Sequence, residues 1–171
     1  MPELRNEEDL RTRPSEPSQA RVRLAGPGDA EDVARLISGF RAYYGEELPA
    51  DEEILAAVRR LIGDPSTEYL LAGEPPAGVA QLRFRLSVWT GSEDAWLEDL
   101  FVEPGARGAG AGRALTEASI ERARLRGCAR IQLDANESNE RALRLYRALG
   151  FKTGSPGRWD GGRDLYFTKW L

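Results

Sequence analysis

The run Leu97-Glu98-Asp99-Leu100-Phe101-Val102-Glu103-Pro104-Gly105-Ala106-Arg107-Gly108-Ala109-Gly110-Ala111-Gly112-Arg113-Ala114-Leu115 constrains the fold more than any other stretch. An apolar strand bearing two adjacent carboxylates runs into a glycine-rich turn and then a helix start. The first backbone N–H groups of a helix have no intrahelical partner, and the helix dipole adds roughly half a positive charge there. A diphosphate can be held at such a terminus almost wholly by main chain. Gly108, Gly110 and Gly112 let that main chain approach without intervening Cβ atoms, and Arg107 can add a charge-assisted contact.

Two other glycine-loop readings fail on spacing. The dinucleotide fingerprint fits at Gly108 and Gly110, but Arg113 stands at its third glycine, and the loop lies late in the chain. A P-loop fits at Gly105 and Gly110, but Ala111 and Gly112 stand where Lys and Ser/Thr are required. The pattern that does fit is Arg107-x-x-Gly110-x-Gly112, which resembles the acyl-CoA pyrophosphate loop of the GNAT superfamily of N-acetyltransferases. A second segment carries the same resemblance. Asn139-Glu140-Arg141-Ala142-Leu143-Arg144-Leu145-Tyr146-Arg147-Ala148-Leu149-Gly150-Phe151 matches the family's Asn-x-x-Ala-x-x-Leu-Tyr-x-x-x-Gly-Phe signature at every named position. On a helix Asn139, Ala142, Leu143 and Tyr146 share one face, with Asn139 and Tyr146 about 10 Å apart. By packing alone Tyr146 reads as a core aromatic whose hydroxyl reaches the surface; the two motifs in one chain favour a ligand role. Leu97 to Val102 also resembles the spermidine/spermine and thialysine acetyltransferase branch, although many small bacterial members share a version of it.

The resemblance runs from about Arg21 to the C-terminus and implies a single α/β (α+β) domain, residues 21–171. Its mixed central sheet of about six or seven strands has flanking helices, and two neighbouring parallel strands splay after Val102. It implies that the backbone at Leu100, Phe101 and Val102 pairs with the pantetheine arm of acetyl-CoA. The loop Arg107, Gly108, Ala109, Gly110, Ala111, Gly112 and Arg113 then holds the diphosphate, with Asn139 and Tyr146 also on the cofactor. Tyr146 becomes the general acid for the thiolate, and Glu98 the base through water, because the amine to be deprotonated is itself highly basic. Adjacent strand residues face opposite sides, so Glu98 and Asp99 share a cleft only if a bulge turns the chain. Asp99 is therefore given a substrate-binding role beside Glu98 and Tyr43. The segment Phe40 to Glu47 borders the acceptor pocket, where its tyrosines and Glu46 and Glu47 can meet an amine; a helix end packing its aromatics on the sheet is the competing reading.

Local patterns supply the remaining elements. Met1 to Ala20 is polar, charged and broken by Pro14 and Pro17, and is read as a disordered leader. A strand at Val22 to Ala25 precedes an Asp29 cap and a helix with its stripe on Ala30, Val33, Ala34, Leu36, Ile37 and Phe40. A second helix is expected from an Asp51 cap to Ile62. Strands follow at Tyr69 to Ala72, Gly78 to Leu86 and Ala95 to Val102. A helix at Gly110 to Arg126 carries Ala111, Ala114, Leu115, Ala118 and Leu125 as its apolar stripe. Strands at Arg130 to Ala135 and Asp164 to Lys169 complete the sheet.

Composition closes several alternatives. The 171 residues are 41% hydrophobic, enough for one domain with a real core. A net charge of −4 argues against a nucleic-acid footprint and is compatible with a cationic small-molecule amine. With no His and one Cys, Cys128, the histidine routes to metal binding and triad catalysis are closed, and Cys128 reads as a small core residue. No metal, membrane span or signal peptide is expected, and a cytoplasmic homodimer is. Three functions stay open: acetyl transfer to a small-molecule amine, acetyl transfer to a protein N-terminus or lysine, and a non-catalytic acyl-CoA binding module.

Overall fold

Strand alternation between Thr67 and Val102 builds the centre of the sheet, because every second side chain is apolar on each of two faces. The computed structural model describes residues 21–153 and 164–171; Met1 to Ala20, read above as a leader, lie outside the described residues. Among the described residues the strands are β1 (Val22–Leu24), β2 (Thr67–Ala72), β3 (Gly78–Ser87), β4 (Ser92–Val102), β5 (Arg130–Asn136), β6 (Lys152–Thr153) and β7 (Asp164–Trp170). The helices are α1 (Ala30–Tyr43), α2 (Asp51–Leu61), α3 (Ala111–Leu125) and α4 (Glu140–Ala148). The strands form one seven-stranded sheet in the order β1-β2-β3-β4-β5-β7-β6. Neighbours are antiparallel except β4 and β5, which run parallel.

Each face of the sheet has its own core. Leu70, Leu82, Leu97, Ile131 and Leu133 pack with Leu115 and Ile120 of α3 and Leu143 and Tyr146 of α4. On the other face Tyr69, Leu71, Val79 and Phe101 pack with Val33, Leu36, Ile54 and Val58 of α1 and α2. Each such side chain contributes about 1.5–3 kcal/mol when taken out of water. Arg122 of α3 also forks onto Glu68 of β2, with both N···O distances 2.7 Å.

Several local expectations are corrected. Asp29 precedes α1 without capping it by its side chain; its carboxylate accepts instead from the Gly26 N–H and from Arg23. Asp51 is the first residue of α2, and Ala50 occupies the cap, its N–H donating to the Glu53 carboxylate at 2.8 Å. Leu125 is 68% exposed, and α3 buries Thr116 and Ser119 where the apolar stripe was expected to continue. Their hydroxyls donate to the Gly112 and Leu115 carbonyls, both at 2.8 Å, so burial leaves neither hydroxyl unmet.

Two irregularities in β4 create the site. Parallel pairing with β5 is limited to Asp94↔Arg130, Ala95↔Ile131 and Trp96↔Gln132, so the strands part after Trp96, six residues earlier than the expected splay at Val102. Along the other edge, Leu82 opposes Leu97 while Gln81 opposes Asp99. Glu98 is thus the extra residue of a β-bulge, which turns both carboxylates toward the α1 side.

Candidate active site

Where β5 leaves, β4 keeps an unpaired edge from Leu97 to Val102. The Glu103 N–H donates to the Ala77 carbonyl at 2.9 Å on the β3 side. The two polar groups of a trans peptide point in opposite directions, so the Val102 C=O faces the gap. Alternation along the strand places the Val102 N–H and the Leu100 C=O on that same edge. Phe101 contributes its ring rather than an edge group: it packs at 5.6 Å from Phe40 and 6.5 Å from Tyr43.

The glycine loop closes one end of the gap. Gly110, at φ +87°, stands at the N-cap of α3 with no side-chain cap, and Gly108 has φ +94°. Both lie in the left-handed region that favours glycine. A Cβ added at either would meet nothing within 4 Å, so the space before the helix terminus is open. Arg107 does not extend into that space. Its Nε donates to the Val102 carbonyl at 2.9 Å, and its guanidinium lies 4.4 Å over the Tyr43 ring. Arg113 pairs with Glu117 at 2.9 Å one turn along α3.

Tyr146 forms the far wall. Its ring lies 5.8 Å from both Phe151 and Phe167, and the residue is 6% exposed. Burial, followed by the charges of Tyr44 and Asp134, holds its phenol well above the ordinary tyrosine value. It is therefore a protonated hydrogen-bond donor throughout the physiological range, and a weaker acid than an exposed phenol. Asn139 is not on the helical face expected for it. It is the N-cap of α4, its Oδ1 accepting from the Ala142 N–H at 3.2 Å, and it reaches the cleft from there.

A cleft of about 480 Å³ joins these parts. Of the residues expected at the site, Leu100, Phe101, Val102, Arg107, Gly108, Gly110, Ala111, Gly112, Arg113, Asn139, Tyr146, Glu98 and Tyr43 line it. Ala109 does not, because the left-handed turns on either side direct it outward to solvent. Asp99 sits behind Glu98 rather than on the wall. Its carboxyl is pushed up to about 6 by burial, then by the charges of Glu98 and Asp134. Glu98 is exposed to the cleft and accepts from Gln81 Nε2 at 3.2 Å. Glu46 and Glu47, beyond the end of α1, are exposed and do not line the cleft; Phe40, Tyr43 and Tyr44 do.

One charged cleft residue, Asp134, escaped the sequence reading, while Tyr44 lines the cleft as the tyrosines of Phe40 to Glu47 were expected to. Asp134 alternates with the buried Leu133 in β5 and lines the gap opposite β4, a signal that period-two alternation already carried. Tyr44 caps α1 with its ring edge-on to Phe40 at 5.2 Å. Cys128 is buried as expected, and burial pushes its thiol up to about 11, so it stays protonated. Among the described residues no helix is long and apolar enough to cross a membrane.

The profile of the Acetyltransferase (GNAT) family matches residues 33–151. Thialysine N-epsilon-acetyltransferase of Bos taurus is 32% identical over 142 residues, covering 75% of this chain and 82% of that protein. Mycothiol acetyltransferase of Beutenbergia cavernae is 30% identical over 141 residues, covering 79% of this chain and 46% of that protein. Among solved structures, one from Arthrobacter sp. FB24, assigned to the acetyltransferases, superposes with a TM-score of 0.74 at 36% identity. It covers 84% of this chain and 92% of its own. The strand gap, the glycine loop and these relatives agree, and the chain belongs to the acetyltransferase (GNAT) family.

Proposed function

We propose that this protein is an acetyl-CoA-dependent N-acetyltransferase acting on a primary amine of a small, cationic molecule by direct attack. The observation that carries the reading is the free edge of β4, which leads from an uncapped helix terminus to a buried phenol beside a carboxylate. The cofactor fits the residues present: the open glycine cradle suits a diphosphate, and the Val102 N–H and Leu100 C=O suit an amide of an extended arm. When bound, acetyl-CoA supplies the activated acetyl thioester. The N–H groups opening α3 bind the diphosphate, and the β4 edge orients the arm. Glu98, from the mouth of the cleft, takes the proton of the substrate ammonium through water. Tyr146 donates its hydroxyl hydrogen to the leaving sulfur, which its protonated state allows.

A small-molecule acceptor is supported by the thialysine and mycothiol acetyltransferases among the relatives. The aromatic wall of Phe40, Tyr43 and Tyr44 facing Glu98 and Asp134 supports a cationic one. A screen of amines with acetyl-CoA, read by free thiol, tests the reading: turnover with a diamine or basic amino acid is expected, and coenzyme A release with no amine in the panel overturns it. The homodimer and the cytoplasmic location belong to the same proposal, and sedimentation equilibrium at micromolar concentration tests the first.

A further inference from the structure

Arg107 is placed for a task other than phosphate binding. Four backbone groups of β4 face the gap, the N–H and the C=O of Leu100 and of Val102, so two of them are acceptors. Two acceptors would offer an incoming amide two positions, two residues apart, which is about 6.7 Å along a strand. Arg107 Nε fills one of them, the Val102 carbonyl, at 2.9 Å. Its guanidinium is held there by the Tyr43 ring at 4.4 Å and the Phe101 ring at 5.8 Å. One acceptor, the Leu100 carbonyl, remains between the Leu100 and Val102 N–H donors.

We propose that Arg107 is a positioning residue that sets the register of the acyl-CoA arm on β4, by occupying the Val102 carbonyl so that an amide N–H of the arm can donate only to the Leu100 carbonyl. The inference rests on the acetyl-CoA reading above. Reacting atoms must approach to about 3–3.5 Å, so an arm slipped by two strand residues binds without reacting. The signature of a lost register is therefore a fall in kcat on top of any rise in KM.

Covalent topology separates this role from that of a phosphate ligand. Counted from Cα, glutamine Nε2 stands at the same position as arginine Nε, and methionine Cε stands there without a donor. Both substitutions remove the charge. Loss of that charge weakens the general attraction for an anionic cofactor equally in both, so coenzyme A affinity in calorimetry should fall by the same factor in Arg107→Gln and Arg107→Met, below about tenfold. In Arg107→Gln kcat should stay within about threefold of wild type, while in Arg107→Met it should fall about thirtyfold or more. Tyr43→Leu, which loosens the guanidinium, should give an intermediate fall. A readout independent of turnover is the Val102 amide proton in ¹⁵N-labelled protein. On addition of coenzyme A it should move to a single new position in wild type and Arg107→Gln, and broaden or split in Arg107→Met. Equal kcat values for the two variants, or a single sharp Val102 signal in both, overturn the proposal and leave Arg107 a phosphate ligand. If wild-type protein binds coenzyme A yet acetylates no amine, the catalytic reading falls, and the Val102 signals still decide the register.

Discussion

The phenol of Tyr146 and the carboxyl of Asp99 are both displaced from their ordinary ionisation by burial, and the consequences differ. For Tyr146 the shift secures the proton. Tyr146→Phe keeps the ring against Phe151 and Phe167 and removes the donor, so kcat should fall on the order of a hundredfold with coenzyme A affinity nearly unchanged. Near-normal turnover with a lowered melting temperature would make the residue structural. For Asp99 the folded state prefers the protonated form, since its carboxyl titrates at about 6 against an ordinary value of 3.8. Folding therefore loses stability as pH rises from about 4 to about 6, and the cost persists above. Asp99→Asn should be as stable as wild type near pH 4 and more stable above pH 6, by an amount on the order of 2 kcal/mol in urea melts. A constant difference across that window would show that Asp99 is not the group responsible. Neither displacement is legible from residue type, because both arise from neighbours contributed by other strands and helices.

Among the elements, β4 and the loop after it carry the chemistry in the proposed function. Gly110 combines a left-handed φ of +87° with open space before α3, so Gly110→Asp strains the backbone and puts a negative charge where the diphosphate belongs. Coenzyme A binding should fall by at least a hundredfold in calorimetry, with a stability loss of about 1 kcal/mol; wild-type affinity would remove the loop from the site. The loop and its glycines were legible because spacing and residue type alone define a helix-terminal anion cradle. The position of the splay was not. It is set by where β5, held along its whole length by β7, diverges from β4 after Trp96, and β7 lies some seventy residues further along the chain, invisible within β4. The bulge at Glu98 likewise appears only in the register with β3. With that bulge, Glu98→Gln should lower turnover and move the pH optimum upward, because more of the deprotonation is left to bulk hydroxide. An unmoved pH profile would place Glu98 among the surface groups.

At the scale of the whole molecule, the cleft is an intersection of two cores. α3 presents its N-terminal loop at the gap because its other end is anchored to β2 by Arg122 and Glu68 and to β4 by Arg126 and Glu93. Arg122→Leu leaves the half-buried Glu68 carboxylate short of its bidentate partner and should lower stability by about 1–3 kcal/mol in thermal or urea melts, with little change in the KM for acetyl-CoA. A large rise in KM with unaltered stability would show that the anchor acts on the loop directly. The chain's own sequence determined the order of helices and strands, the helix-terminal anion site and the Asn139 to Phe151 segment, since each depends on periodicity and spacing over fewer than twenty residues. It also put forward Glu98 and Tyr146 as candidate base and acid, and both line the cleft. The tertiary structure alone decided which carboxylate reaches the cleft, that Asn139 caps α4 rather than lying along it, that Glu46 and Glu47 stand aside for Tyr44 and Asp134, and that Arg107 folds back onto β4. Those outcomes depend on register and on packing between segments distant in the chain, and pairing across strands is information that no single stretch of sequence contains.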